Sequence, residues 1–187
     1  APVWRDFTVL SARAYAAQVE GATFNEHGGR VWYVATTGSS SNPGTFDAPL
    51  DTIANAQSAA TSGDTVMVGN GTYPRFAPTK PGIEYIGESK TGTILTDAGT
   101  TSTLSIIGTH GLSFRRFKFV ATHATAGTAV NIANNAQNTR IEDCWVVGTT
   151  FGVYAEGSID LTVRGCILSA TSNPLNAYES VGLVVES

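Results

Sequence analysis

The chain has 187 residues, of which 42% are hydrophobic and 14% charged, with 20 glycines and a net charge of -4 at neutral pH. No apolar run reaches the 18 residues of a membrane helix, and an acidic chain of pI near 5.3 carries no electrostatic footprint for nucleic acid, so neither membrane insertion nor a nucleic-acid partner is expected. Low charge and abundant glycine favour one domain of many short strands.

Residues 1–31 stand apart as an N-terminal arm. Ser11 is a candidate cap, and Leu10, Ala14, Ala17 and Val19 give a weak helical stripe that ends near Gly21, before a loop with His27, Gly28 and Gly29. The arm is expected to pack on the first coil of the domain after it or to attach the protein to a partner or a larger particle. It contains no charged segment followed by an apolar core, and the chain opens on Ala1, so export is left open. Residues 36–49 form a turn-rich loop whose serines and glycines suggest a phosphate cradle, but no Gly-Lys-Ser/Thr element comes after it.

The stretch 50–73 organises the rest. Thr52 caps a short helix over 52–60, in which Ile53, Ala56 and Ala60 fall on one face at spacings of three and four. Such a helix is too short to stand alone and needs an apolar surface to lie on. A turn at Gly63 and Asp64 leads into a strand over 65–68 and a Gly71-Thr72-Tyr73 exit. The residues Trp32-Tyr33-Val34, Gly38, Pro43-Gly44-Thr45, Pro49-Leu50, Thr52-Ile53, Ala56, Gly63-Asp64-Thr65-Val66 and Gly71-Thr72-Tyr73 resemble the opening of the right-handed parallel β-helix, pectate-lyase-like proteins. That group includes polysaccharide-degrading enzymes, phage tailspikes and related surface proteins. The resemblance implies an all-β, right-handed parallel β-helix over 32–187 whose short N-terminal α-helix caps the open end of the coil. For function it implies less, because members with and without enzymatic activity share this opening.

Strands are expected at 83–86, 93–95, 103–107 and 112–120. Three segments then superpose, 112–119, 139–146 and 161–168, each with apolar or small residues at positions one, three, six and eight. The extra residue between three and six lets a strand bend through a corner and restart its alternation. The repeat is 27 residues from Phe117 to Cys144 and 22 from Cys144 to Cys166, a constant rung with loops of variable length. A second strand returns in each coil, expected at 129–132, 151–154 and 181–184. Long loops then fall on one edge, at 121–128 and 171–180, where binding usually sits. The end, 181–187, reads as a strand with no polar segment after it. The expectation is a β-helix incomplete at its C-terminal end or covered there by a partner subunit.

Cys144 and Cys166 share one inward position a coil apart. Side chains stacked in parallel point the same way, so a ladder of free thiols continuing Phe117 is expected in place of a disulfide. Free thiols suit assembly in a reducing compartment and favour a virion component over a secreted enzyme. Outward, Arg115, Glu142 and Arg164 fall in one column as an alternating charge ladder. Lys118, Trp145 and Ile167 fall in the next, with Lys118 over the indole. Arg115, Lys118, Glu142, Trp145 and Arg164 are the candidate ligand-binding face for a glycan, the alternatives being contact with a neighbouring subunit and a solvated surface that keeps the coils in register. Glu142 and Asp143 are the one adjacent acidic pair, but Asp143 lies at the corner, where it is expected to serve turn N–H groups. No catalytic residue is assigned. His27, His110 and His123 lack metal-ligand spacing, and neither a metal nor a cofactor is expected. Asn131, Asn134, Asn135 and Asn138 cluster at a turn, and no Gly-x-Ser-x-Gly signature occurs.

These features favour a structural, receptor- or glycan-facing virion protein of the tailspike or fibre type. It is expected to be a homotrimer, to touch other virion proteins through its arm, and to meet polysaccharide. The alternatives are a polysaccharide lyase or glycoside hydrolase, secreted, with its groove beyond residue 187, and a bacterial cell-surface adhesin module.

Overall fold

The computed structural model describes residues 29–97, 99 and 102–186. The expected arm, including Ser11 and His27, lies almost wholly outside the described residues. The chain runs through β1 (Val31–Val34), helix α1 (Ile53–Ala59), β2 (Thr65–Val68) and β3 (Gly71–Pro74). One coil comes next as β4 (Glu84–Gly87), β5 (Thr93–Thr96) and β6 (Ser102–Ile107), and another as β7 (Ser113–Arg115), β8 (Lys118–Val120) and β9 (Thr128–Ala133). The last coils are β10 (Gln137–Glu142), β11 (Trp145–Val147) and β12 (Phe151–Glu156), then β13 (Ile159–Arg164), β14 (Ile167–Ser169) and β15 (Asn173–Tyr178), before β16 (Val184–Glu186).

These strands stack as a right-handed parallel β-helix of about five turns with three faces. Sheet A is β1-β2-β4-β7-β10-β13-β16, sheet B is β3-β5-β8-β11-β14, and sheet C is β6-β9-β12-β15. Parallel register keeps each inward position in one column. Val66, Tyr85, Phe114, Ile141 and Val163 line the inside of sheet A, Tyr73, Leu95, Phe119 and Val146 that of sheet B, and Leu104, Val130 and Val153 that of sheet C. Part of the core is aromatic: the rings of Tyr85 and Phe114 stack at 4.7 Å, and Phe117 stacks on Phe119 at 5.6 Å.

Corners are made by residues with left-handed backbone. Between sheets C and A, Gly111, Asn138, Asp160 and Gly182 occupy equivalent positions with φ of 66°, 51°, 54° and 71°. Between sheets A and B the corner is Arg116, Asp143 and Gly165, at 58°, 47° and 61°. Asn, Asp and Gly tolerate this region best, which is why turn-forming residues recur once per coil. The corner predicted by the superposed segments is therefore a single residue per coil. One expected strand is misplaced. Residues 181–184 do not form the third returning strand; β15 does, pairing Val153 with Leu175 and Tyr154 with Asn176. The 181–186 stretch instead repeats 159–164, with Val185 against Val163. Residues 171–180 are thus mainly strand, and the longer loop remains at 121–127.

The N-terminal end is closed as the sequence implies. The Thr52 side chain accepts the Asn55 N–H at 3.1 Å, and Ile53, Ala56 and Ala60 are buried. At the other end of α1, Lys80 Nζ donates to the carbonyls of Ser58 and Ala60 at 2.7 and 2.8 Å, a charged C-cap that favours the helix dipole. Beneath the helix, Tyr85 Oη and the Thr79 N–H both donate to Gln57 Oε1, which satisfies a polar side chain in the core.

Asp64, 6% exposed, ties these pieces together. Its carboxylate accepts from the Arg30 N–H at 2.7 Å, Trp32 Nε1 at 3.0 Å, and the Thr61 N–H and hydroxyl at 2.8 and 3.2 Å. Burial raises its pKa, but the hydrogen bonds from Thr61, Trp32 and Arg30 outweigh burial and hold it below the ordinary value of 3.8. A carboxylate with a depressed folded-state pKa contributes its full stability above 3.8 and loses it as pH falls through the lower folded-state value. Asp64→Ala is expected to destabilise the protein by about 3 kcal/mol at pH 7, with buried donors left unpaired. The gap to wild type should narrow in denaturant melts below about pH 4. An equal gap at both pH values would show that the carboxylate charge is not what holds this end.

Candidate functional site

The structure places the five candidate residues in two contacting groups on either side of the A–B corner. Arg115, Glu142 and Arg164 close strands β7, β10 and β13 in register on the outer side of sheet A. Arg164 Nη2 donates to Glu142 Oε1 at 2.8 Å, and Arg115 Nε lies 3.5 Å from Glu142 Oε2. The ladder is longer than the sequence suggests: Glu84 meets Arg115 at 3.5 Å and Glu186 meets Arg164 at 3.8 Å, so five side chains alternate in sign across the coils. Glu142 is the least exposed of them, at 15%, while Arg115 and Arg164 remain half exposed and use only part of their N–H donors on these partners.

Just past the corner, Lys118 and Trp145 open strands β8 and β11 opposite one another. Lys118 Nζ sits 4.1 Å from the centroid of the indole ring, and exposed Ile167 continues the same column. The candidate face therefore wraps an edge, with charges on sheet A and the aromatic on sheet B. Asp143, at the corner between them, departs from expectation. Its carboxylate pairs with Lys90, from the turn between β4 and β5, instead of serving turn N–H groups. This pairing, with hydrogen bonding first and charge second, raises the Lys90 pKa. Glu142 and Asp143 are thus each engaged by cations and have different partners, so both carboxylates tie coils together.

Cys144 and Cys166 are both free thiols, as the ladder reading expects. The Cys144 N–H lies 3.5 Å from Cys166 Sγ, and burial drives the Cys144 thiol well up while the hydrogen bond from Cys144 draws Cys166 down. Among the described residues no group of His, Cys, Asp and Glu is arranged to hold a metal ion. His123 Nδ1 accepts the Ala126 N–H at 3.0 Å within its loop, so its role is local. Asn134, Asn135 and Asn138 make the C–A turn with positive φ, but Asn131 lies on the outer side of sheet C.

Two surfaces escape the sequence. The loop over 36–49 covers an apolar cluster of Tyr33, Met67 and Phe46 on the outside of sheet A, beside a cavity of about 280 Å³. On the outside of sheet C, the rings of Phe151 and Tyr154 lie 5.2 Å apart. The strand 151–154 is legible as a strand, but only the register shows Asn131 and Asn176 above and below Tyr154.

The ladder predicts a measurable coupling. Glu142→Ala leaves two guanidiniums adjacent and is expected to lower stability by about 1 kcal/mol in low salt. The deficit should shrink in about 1 M salt, where the Debye length falls to about 3 Å. A salt-independent deficit in urea melts would assign the loss to packing and not to charge.

No protein-family model and no curated protein matches this sequence. Solved structures do match in fold. Pectin methylesterase PemA from Erwinia chrysanthemi is 19% identical, with a TM-score of 0.55 over 75% of this chain and 52% of its own. A GH136 lacto-N-biosidase from Eubacterium ramulus is 13% identical, with a TM-score of 0.64 over 91% of this chain and 41% of its own. ORF18 of Geobacillus virus E2 is 13% identical, with a TM-score of 0.57 over 89% of this chain and 34% of its own. The chain spans about half the length of the pectin methylesterase structures it matches. At these identities the likeness establishes the architecture, and the chain has the right-handed parallel β-helix fold.

Proposed function

We propose that this β-helix is a structural, glycan-facing protein of the tailspike or fibre type, acting in a virion as a homotrimer, with its N-terminal arm touching other virion proteins. The observation that carries the reading is the A–B edge, where the Trp145 indole lies against Lys118 on sheet B and the half-exposed Arg115 and Arg164 line sheet A across the corner. An indole stacks on the apolar face of a sugar ring, and guanidiniums bind carboxylates through paired N–H groups. Lys118 must leave the ring for a sugar to enter, at a cost of about 0.5–1 kcal/mol, and its ammonium is then free to pair with the ligand's charge. The ligand that suits this edge is an acidic glycan. Free thiols in the core and a fold shared with a viral protein support the virion setting.

A second reading, a polysaccharide-processing enzyme, is favoured by neighbours described as pectin methylesterase and rhamnogalacturonan lyase. In that case these coils are the scaffold of a groove formed elsewhere in the full-length protein.

Trp145→Ala tests the leading reading. Titration of the full-length protein with hexagalacturonate and with sialylated and sulfated oligosaccharides should show binding that the variant weakens at least about tenfold, or 1.4 kcal/mol. Its melting temperature should stay close to wild type. Unchanged binding by Trp145→Ala would remove this edge from the site.

A further inference from the structure

The outer side of sheet C differs in chemistry from the edge just described. Its four strands, β6, β9, β12 and β15, contain no Lys or Arg, and Glu156 is their one acidic residue. At their centre Phe151 and Tyr154, both half-buried, form a tilted aromatic pair with ring planes 46° apart. Tyr154 Oη donates to Glu156 Oε2 at 3.3 Å at the surface. In-register pairing sets Asn131 on one side of Tyr154 and Asn176 on the other, one coil away each, and Asn173 beside Phe151.

We infer that this surface is a second carbohydrate-binding site, selective for a neutral glycan. Half-buried aromatic rings on a sheet offer area for the C–H faces of pyranose rings at little cost in conformational entropy. Amides on either side supply both donors and acceptors, which match sugar hydroxyls. The charge pattern sets the class: with one carboxylate and no cation on these strands, a polyuronate or sulfated chain meets repulsion and finds no counter-charge. Coils about 4.8 Å apart repeat the amide positions along the solenoid axis, so an extended chain laid across the coils meets Asn131, Tyr154 and Asn176 in turn. This inference rests on the glycan-facing reading and adds to it a separate surface with opposite charge preference.

The test uses the full-length protein and two sets of probes: neutral hexasaccharides of glucose, galactose, mannose and N-acetylglucosamine, and hexagalacturonate. At least one neutral hexasaccharide should bind and shift the Tyr154 ring signals in NMR. Tyr154→Ala and the milder Asn176→Ala should each weaken that binding, Tyr154→Ala by at least about tenfold. Trp145→Ala should leave it unchanged, and far-UV circular dichroism should show every variant folded. Neutral binding that survives both sheet C variants overturns the inference, as does a sheet C surface that responds only to hexagalacturonate. Binding lost in Trp145→Ala alone would overturn it while leaving the glycan-facing reading in place. Absence of binding to every neutral hexasaccharide would overturn it, and absence of binding to the sialylated and sulfated oligosaccharides and hexagalacturonate as well would sink the glycan-facing reading with it.

Discussion

Everything in this structure depends on parallel pairing between successive coils. A strand in a parallel sheet satisfies its N–H and C=O groups on its neighbours above and below, so each coil must place its strands at the same positions as the last. Register turns a one-dimensional repeat into columns: apolar ones inside, charged or aromatic ones outside, and left-handed corner residues between sheets. The N-terminal end is where this logic changes, because β1 is the edge strand of sheet A among the described residues. There a capped helix covers the core, and the Asp64 carboxylate collects donors from Arg30, Trp32 and Thr61.

The same constraint decides what the surfaces can do. On the outside of sheet A, Arg115, Glu142, Arg164 and Glu186 form one column of alternating charge, joined by Glu84 from two positions away in register, and its members are partly consumed by one another. Such a run ties coils together and still leaves two guanidiniums half exposed. Sheet C has an outer face almost without charge, where aromatic rings and amides alternate. Two faces of one rigid rod thus offer different chemistry at fixed separation. The fold alone does not choose between binding and catalysis, since function lies in the side chains grafted on it.

Much of this is legible in the sequence, for identifiable reasons. Thr52 and its apolar stripe announce a capped helix because capping and periodicity are local. The three superposed segments reveal the A–B corner because the break in alternation falls at the same place in each, and they place Arg115 with Glu142 and Lys118 with Trp145 correctly. What stays hidden is non-local or atypical. Pro174, with Asn173 before it and Asn176 two residues on, disguises β15, so the apolar alternation at 181–184 draws the returning strand too far along the chain. Lys90 reaches Asp143 across 53 residues, and no spacing rule points to that pair. Asp64 reads as a turn residue, since its donors Arg30 and Trp32 lie more than 30 residues away. The sheet C face needs the register of its returning strands.

The most direct measurement is depolymerisation by the native, full-length protein, following new reducing ends and unsaturated uronate absorbance across acidic and neutral polysaccharides, together with its mass in solution. A trimeric mass with glycan binding and no cleavage is the predicted result. Cleavage would contradict a purely structural role and make these coils the scaffold of an enzyme.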